Sequence, residues 1–346
     1  MKIYCDASNM HTGGGKTLIL DFISSARHFK NTKFVIFIDK RLVFKETAAK
    51  NIQFIIINKF LRLFISFYLF FKIQTEDCII YLGNIPPIFS NKCSSILYLG
   101  NRYIIDWVST YQFKLKSRIR INIERVLFYL FHKNVDKIFV QSESMKIILE
   151  KNVRKISKCH IFPFLSTFLI ESNNIKKEKF DFIYIASDEP HKNHINLLQA
   201  WVILSKNNCF PSLCLVLPKE SFLIKIINKI KNENPSIDIA IKQDLSRIKI
   251  TSILKSSRSL IFPSYFESFG LPIVEAMICG IDIVASEKDF VRDLVDPSET
   301  FDPSSPHSIA RAVRRHLSIK DLKTQLKTTD DFINFILKKE SYFETI

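Results

Sequence analysis

Glu267 and Glu275 stand with seven residues between them inside the segment Pro263 to Gly280, PSYFESFGLPIVEAMICG. An apolar strand ends at Pro263, a loop carries Glu267, and Ser268-Phe269-Gly270-Leu271 leads into a helix that Gly280 closes. Proline at 272 suits the first helical turn, where its missing N–H had no partner. The free amides of that turn form an anion site, and Gly270 lets the backbone approach a ligand closely. Two carboxylates flank it, with Glu275 expected in the first helical turn, and both can accept hydrogen bonds from hydroxyl groups. Diphosphate on amides and hydroxyls on carboxylates is the chemistry that holds a nucleotide-diphosphate sugar.

A second segment, Tyr184 to Trp201 (YIASDEPHKNHINLLQAW), follows a strand and opens a helix. Lys192 is a compact cation at that helix start, suited to a diphosphate leaving group. His191 and His194 lie beside it at a spacing of three, but no third ligand accompanies them, so they read as solvated or capping side chains and no metal is expected. Thr12-Gly13-Gly14-Gly15-Lys16-Thr17 opens the first helix. A P-loop would need glycine where Met10 stands, which disfavours a nucleotide triphosphatase. Asn101-Arg102-Tyr103 follows a further strand, and Arg102 fits either a phosphorylated acceptor or a surface salt bridge.

These residues require strands that end at one edge. Strands are expected at Lys2–Cys5, Phe34–Ile38, Phe54–Ile57, Ile79–Leu82, Ile96–Leu99 and Lys137–Gln141, with helices at Lys16–Phe29 and Ile119–His132. Glu171 to Lys179 is polar and without apolar periodicity, and reads as a linker. Beyond it strands are expected at Phe180–Ala186, Leu213–Leu217, Ile237–Ile241, Ser259–Pro263 and Ile281–Ala285. Helices fall between them at Asn193–Leu204, Phe222–Asn232, Ile248–Ser256 and Pro272–Cys279, and a last one at Ser308–His316. Strands alternating with helices imply two doubly wound parallel sheets. Ligands of such sheets bind outside the carboxyl ends of the strands, so the site should lie in the cleft between the domains.

With Phe269-Gly270-Leu271-Pro272, Glu275-Ala276-Met277 and Gly280 around it, the two-glutamate pattern resembles the retaining glycosyltransferases of family 4. Bacterial surface-polysaccharide and O-antigen enzymes are nearest in look. The resemblance covers residues 180 to 317 most closely and continues over 1 to 165. It implies an α/β chain of GT-B fold, two Rossmann-like domains facing a cleft. The N-terminal, acceptor-side domain would take residues 1–170, the linker 171–179 and the nucleotide-sugar domain 180–320. Residues 321–346 would form a helical segment packing back on the first domain.

By the same resemblance Glu267 faces the donor sugar, Glu275 the ribose and Lys192 the diphosphate. Phe269, Gly270 and Leu271 give backbone contacts, and Gly14 and Gly15 face donor phosphates and acceptor. Glu267 and Lys192 are the implied catalytic pair. The chain departs from the family at Ala186, where an arginine is usual, and at Gly100-Asn101, near which many members carry histidine. No Asp-x-Asp occurs in the chain, so a metal-bridged donor is disfavoured and no tightly bound cofactor is implied. The implied activity is metal-independent hexosyl or deoxyhexosyl transfer to a lipid-linked oligosaccharide, with retention. The rival readings are another GT-B enzyme, such as a sugar-nucleotide epimerase, and a non-catalytic scaffold.

The 346 residues suffice for two domains, and the net charge of +16 calls for an anionic partner. Zinc-finger spacing, RNP-type strands and basic zippers are missing, so nucleic acid is not expected. Two segments suit an anionic membrane surface. Phe60 to Phe71 is apolar but shorter than the ~20 residues of a span, and reads as a buried or an interfacial helix. In Lys114 to Lys133 basic residues interleave with Leu115, Ile119, Ile121, Ile123, Val126 and Leu127, a pattern that reads as a membrane-facing helix or as a solvated helix face. Seven scattered cysteines, with no Cys-x-x-Cys, read as reduced thiols, and the N-terminus shows no signal-peptide pattern. The expected location is the cytoplasm, peripheral on the inner face of the membrane.

Overall fold

The computed structural model describes residues 1–11, 13–42, 49–58, 61–153, 158–163 and 179–319. Thr12, most of the expected linker and the expected C-terminal segment 321–346 lie outside the described residues.

The N-terminal half runs β1 (Lys2–Ala7), α1 (Gly13–Ala26), β2 (Lys33–Asp39), β3 (Ile52–Ile57), α2 (Ile65–Lys72), β4 (Cys78–Tyr81) and β5 (Ser94–Leu99). It continues through α3 (Leu115–Phe131), β6 (Lys137–Val140), α4 (Glu143–Asn152) and β7 (Lys158–Ile161). The strands form one parallel sheet in the order β3-β2-β1-β4-β5-β6-β7. Helix α1 puts Ile19, Ile23 and Ala26 on one face, while α2 and α3 bury Ile65, Leu69 and Phe128 on the other. A sheet covered on both sides needs strands that are apolar throughout, as Phe34–Ile38 is.

The second half repeats the plan. It contains β8 (Phe180–Ile185), α5 (His194–Lys206), β9 (Leu213–Leu217), α6 (Leu223–Glu233), β10 (Ile239–Gln243), α7 (Arg247–Lys255) and β11 (Ser257–Phe262). Then come α8 (Leu271–Cys279), β12 (Asp282–Ser286), a short α9 (Asp289–Arg292), β13 (Glu299–Phe301) and α10 (Pro306–His316). The sheet order is β10-β9-β8-β11-β12-β13, again parallel. Strand order reverses beside β1 and beside β8, and at such switch points the loops diverge and leave a crevice.

Elements beyond the sequence expectation are α4, the short α9, β7 and β13. Helix α2 is not a buried helix, because only Ile65 and Leu69 face inward among its described side chains.

Candidate active site

Two loops meet at the switch point of the second sheet. The loop after β8 ends in a 3-10 turn, Pro190–Lys192, and Asn193 then takes the left-handed conformation at φ 60° to start α5. The loop after β11 carries Glu267. Lys192 Nζ donates to Glu267 Oε1 at 2.7 Å, with both side chains largely shielded from solvent. The sequence pointed to both residues, and the structure brings them together.

The loops are fixed from below. Buried Asn193 donates through Nδ2 to the carbonyls of Pro263 (2.9 Å) and Pro303 (2.7 Å). The Tyr184 hydroxyl donates to the Lys192 carbonyl at 2.7 Å, and the Tyr265 N–H donates to the His191 carbonyl at 2.8 Å. Ser286 Oγ donates to the Ser264 carbonyl at 2.7 Å. Asn193 is a positioning residue that sequence reading missed; an asparagine immediately before a helix was the available signal.

Gly270 caps α8 at φ +84°, and a Cβ there would lie 3.1 Å from Ile273 Cδ1. Leu271 opens the helix, and Phe269 is buried in the turn before it. Glu275 is the fifth residue of α8, so it lies in the second turn and not the first, and it is buried. The histidines also differ from expectation. His194 is buried and donates through Nε2 to the Ser187 carbonyl at 2.8 Å, and His191 packs against the paired rings of Tyr103 and Phe113. Burial holds both imidazoles down at about 4, with the Lys192 charge adding to the effect, so they are neutral near pH 7. Among the described residues no three His, Cys, Asp or Glu side chains gather as a metal site.

The N-terminal domain closes over this floor. Gly14 and Gly15 lie in the first turn of α1, after β1, and a Cβ on Gly14 would meet nothing within 4 Å. Asn9 Nδ2 donates to the Gly83 carbonyl at 2.6 Å, an approach so close that a Cβ on Gly83 would fall 2.3 Å from Asn9 Oδ1. Asn84 Oδ1 accepts from the amides of Gly100 (2.6 Å) and Asn101 (3.0 Å). The Arg102 amide then donates to Ser268 Oγ at 2.8 Å, across the cleft. The loops after β1, β4 and β5 are thus one hydrogen-bonded run ending on the loop of Glu267. Asn9, Gly83 and Asn84 were missed in the sequence, although Gly83-Asn84 directly follows an expected strand.

Arg102 is neither on the surface nor available to a phosphate. It is buried, bidentate to Asp289 at 2.7 and 3.0 Å, bonded to Asp106 at 3.0 Å, and 4.7 Å from the Phe266 ring centroid. Partial burial pushes the Asp289 carboxyl up, but Arg102 outweighs it and holds the group below its ordinary value. Between the domains lies a cavity of about 210 Å³, with Asn101, Tyr103 and Arg120 on one wall and His191, Phe266 and Glu267 on the other. Pockets for drug-sized ligands run to ~300–1,000 Å³, so this cavity is smaller than a nucleotide-sized ligand needs.

Residues 166–330 match the family described as Glycosyl transferases group 1. This domain belongs to that family. The O-antigen chain mannosyltransferase B of Escherichia coli is 27% identical over 143 residues, covering 39% of this chain and 36% of that protein. A serotype-specific mannosyltransferase, WbdA, also of Escherichia coli, is 24% identical over 163 residues, or 46% of this chain and 20% of that one. The chain therefore spans about a third or less of the length of these relatives. The sucrose-phosphate synthase of Thermosynechococcus elongatus superposes with a TM-score of 0.65 at 13% identity, over 92% of this chain and 90% of that one. Anabaena HepE, solved with UDP and glucose, gives 0.63 at 14% over the same shares. At such identity the likeness is one of fold, and that fold is GT-B.

Proposed function

We propose that the chain is a glycosyltransferase that moves a hexose or deoxyhexose from a nucleotide-diphosphate sugar to a lipid-linked oligosaccharide in bacterial surface-polysaccharide synthesis. The observation that carries this reading is the Lys192–Glu267 pair, set where the strand order reverses and facing the other domain. In this reading residues 180–320 bind the donor and residues 1–170 the acceptor. The mannosyltransferase relatives support the acceptor class, and HepE with its bound UDP supports the donor class.

Donor entry exchanges the partners of the pair. Lys192 turns from Glu267 to the diphosphate and, with the positive end of the α8 dipole after Gly270, neutralises the charge that grows as the sugar–phosphate bond breaks. Glu267 is then released to accept from a hydroxyl of the sugar. Buried Glu275 takes the ribose hydroxyls, Phe269, Gly270 and Leu271 offer backbone contacts, and Gly14 and Gly15 face the donor phosphates. The acceptor oxygen bonds to the anomeric carbon on the face the diphosphate leaves, and its proton passes to a phosphate oxygen. This gives retention without a carboxylate nucleophile, and no protein-bound metal is needed.

The test is thermal shift with a panel of UDP-, GDP- and dTDP-sugars in EDTA. A donor should raise the melting temperature of the wild type and leave Lys192→Ala and Glu275→Ala unmoved. Equal shifts in all three proteins, or none with any donor, would remove the donor site from these residues.

A further inference from the structure

Helix α3 presents to solvent a row that a protein folded for water alone has no reason to keep. Leu115, Ile119, Ile123, Val126 and Leu130 follow one another at the spacing of a single helical face, and each is more than half exposed. The opposite side of the helix is inward, through Ile121, Glu124, Arg125 and Phe128. Cations border the apolar row, with Lys116 and Arg120 on one flank, Arg118 on the other and Lys114 exposed at the cap of the helix. Trp107 and Tyr111, both well exposed, are tied to the same helix: Trp107 stacks on Tyr129, and Arg118 lies over the Tyr111 ring at 4.4 Å.

Helix α2 adds further exposed apolar side chains on the same side of the sheet. Its inward Ile65 and Leu69 share a core cluster with Phe128 of α3, so both helices cover the same face of the sheet. On its outer side Phe67, Phe70 and Phe71 are exposed; Phe67 packs edge-on against Phe89, and Phe70 packs against it at a tilt. Exposed apolar side chains gathered on one side of a domain in this way mark an interaction site. An apolar row between two lines of cations, with aromatic rings beside it, matches a helix lying in the headgroup plane of a lipid layer. The charge of +16 gives that lipid its sign.

We infer that the outer face of α3 and α2 docks the protein on an anionic lipid surface. Helix α3 also supplies Ser117, Arg120 and Ile121 to the wall of the inter-domain cavity. Docking therefore brings the cavity beside the headgroups, where a lipid-linked acceptor presents its sugars. That consequence rests on the proposed transferase activity; the docking itself does not, and it is measured without donor or acceptor.

The full chain is pelleted with vesicles of phosphatidylcholine alone and of phosphatidylcholine mixed with phosphatidylglycerol. Binding to the mixed vesicles should be at least tenfold tighter and should weaken with added salt. Ile119→Glu/Ile123→Glu should reduce it tenfold or more without changing the melting temperature, since both side chains are outside the core. Lys114→Gln/Lys116→Gln should weaken binding by about fivefold for each lysine removed. Equal binding to both vesicle types, or a double glutamate variant that binds like the wild type, would overturn the inference. So would sedimentation velocity showing a dimer that the glutamates dissociate, because the face would then be covered by a second copy.

Discussion

Lys192 and Glu267 come from different loops and end 2.7 Å apart, and each was recognisable from its motif. What the motifs did not carry was that the two would hold each other. Lys192→Met keeps the bulk of the side chain and removes the charge that stabilises the leaving diphosphate. Donor cleavage should slow by about 10²–10³-fold in kcat, the scale of losing one preorganised electrostatic contact, and donor-free stability should fall as well because Glu267 keeps its charge without its partner; steady-state kinetics and a melt separate the two. From sequence His191 and His194 read as solvated or capping groups because sequence gives no burial, and Phe113 and Tyr103, which shield His191, come from the other domain. Both are held near 4 in the folded protein against an ordinary value of 6.5. Between those pH values the unfolded chain binds the protons and the folded chain does not, so stability falls as pH drops from 6.5 to 4. The loss is roughly 3 kcal/mol per histidine at the acid end. Replacing His194 by Gln should flatten that part of a stability–pH curve measured in urea.

At the scale of elements, alternation of apolar runs with helical segments was enough to place eleven of the thirteen strands among the described residues. The missed β7 is a four-residue edge strand that is mostly exposed, and β13 has three residues, so neither presents an apolar run. Helix α4 had a signal that was passed over, since Ser142 accepts from the Met145 amide as its cap. Glu275 moved from the first to the second turn of α8 because the helix starts at Leu271. Asn193 joins α5 to the loops after β11 and β13 and holds a left-handed backbone. Asn193→Ala leaves two buried carbonyls without a donor and puts a Cβ-bearing residue without local polar compensation in that conformation. The cost should be about 2–4 kcal/mol by chemical denaturation. Gly270→Ala meets the same backbone restriction and the 3.1 Å contact with Ile273, and should cost about 1–2 kcal/mol.

Over the whole molecule, two parallel sheets and a cleft were legible because helices alternate with strands in both halves. The way the domains touch was not, since it depends on Arg102 meeting Asp289 across 187 positions of chain. Arg102 is nearly shielded and Asp289 is 44% exposed, so the pair lies between the exposed and the buried limits. Asp289→Asn should shift the closing equilibrium by about 1–3 kcal/mol and enlarge the radius of gyration in small-angle scattering. Because the Asp289 carboxyl is lowered, its contribution to closure is complete above the ordinary carboxylate range and is lost as pH falls through the lowered value.

The most direct measurement is the release of nucleoside diphosphate from a panel of nucleotide sugars, by the purified chain with bacterial lipid extract as acceptor. The account predicts release from at least one donor in EDTA, with the sugar recovered in the lipid fraction, and a hundredfold or greater loss in Lys192→Met. Release that is unchanged in Lys192→Met, or none from any donor under conditions where the donor binds, would contradict it.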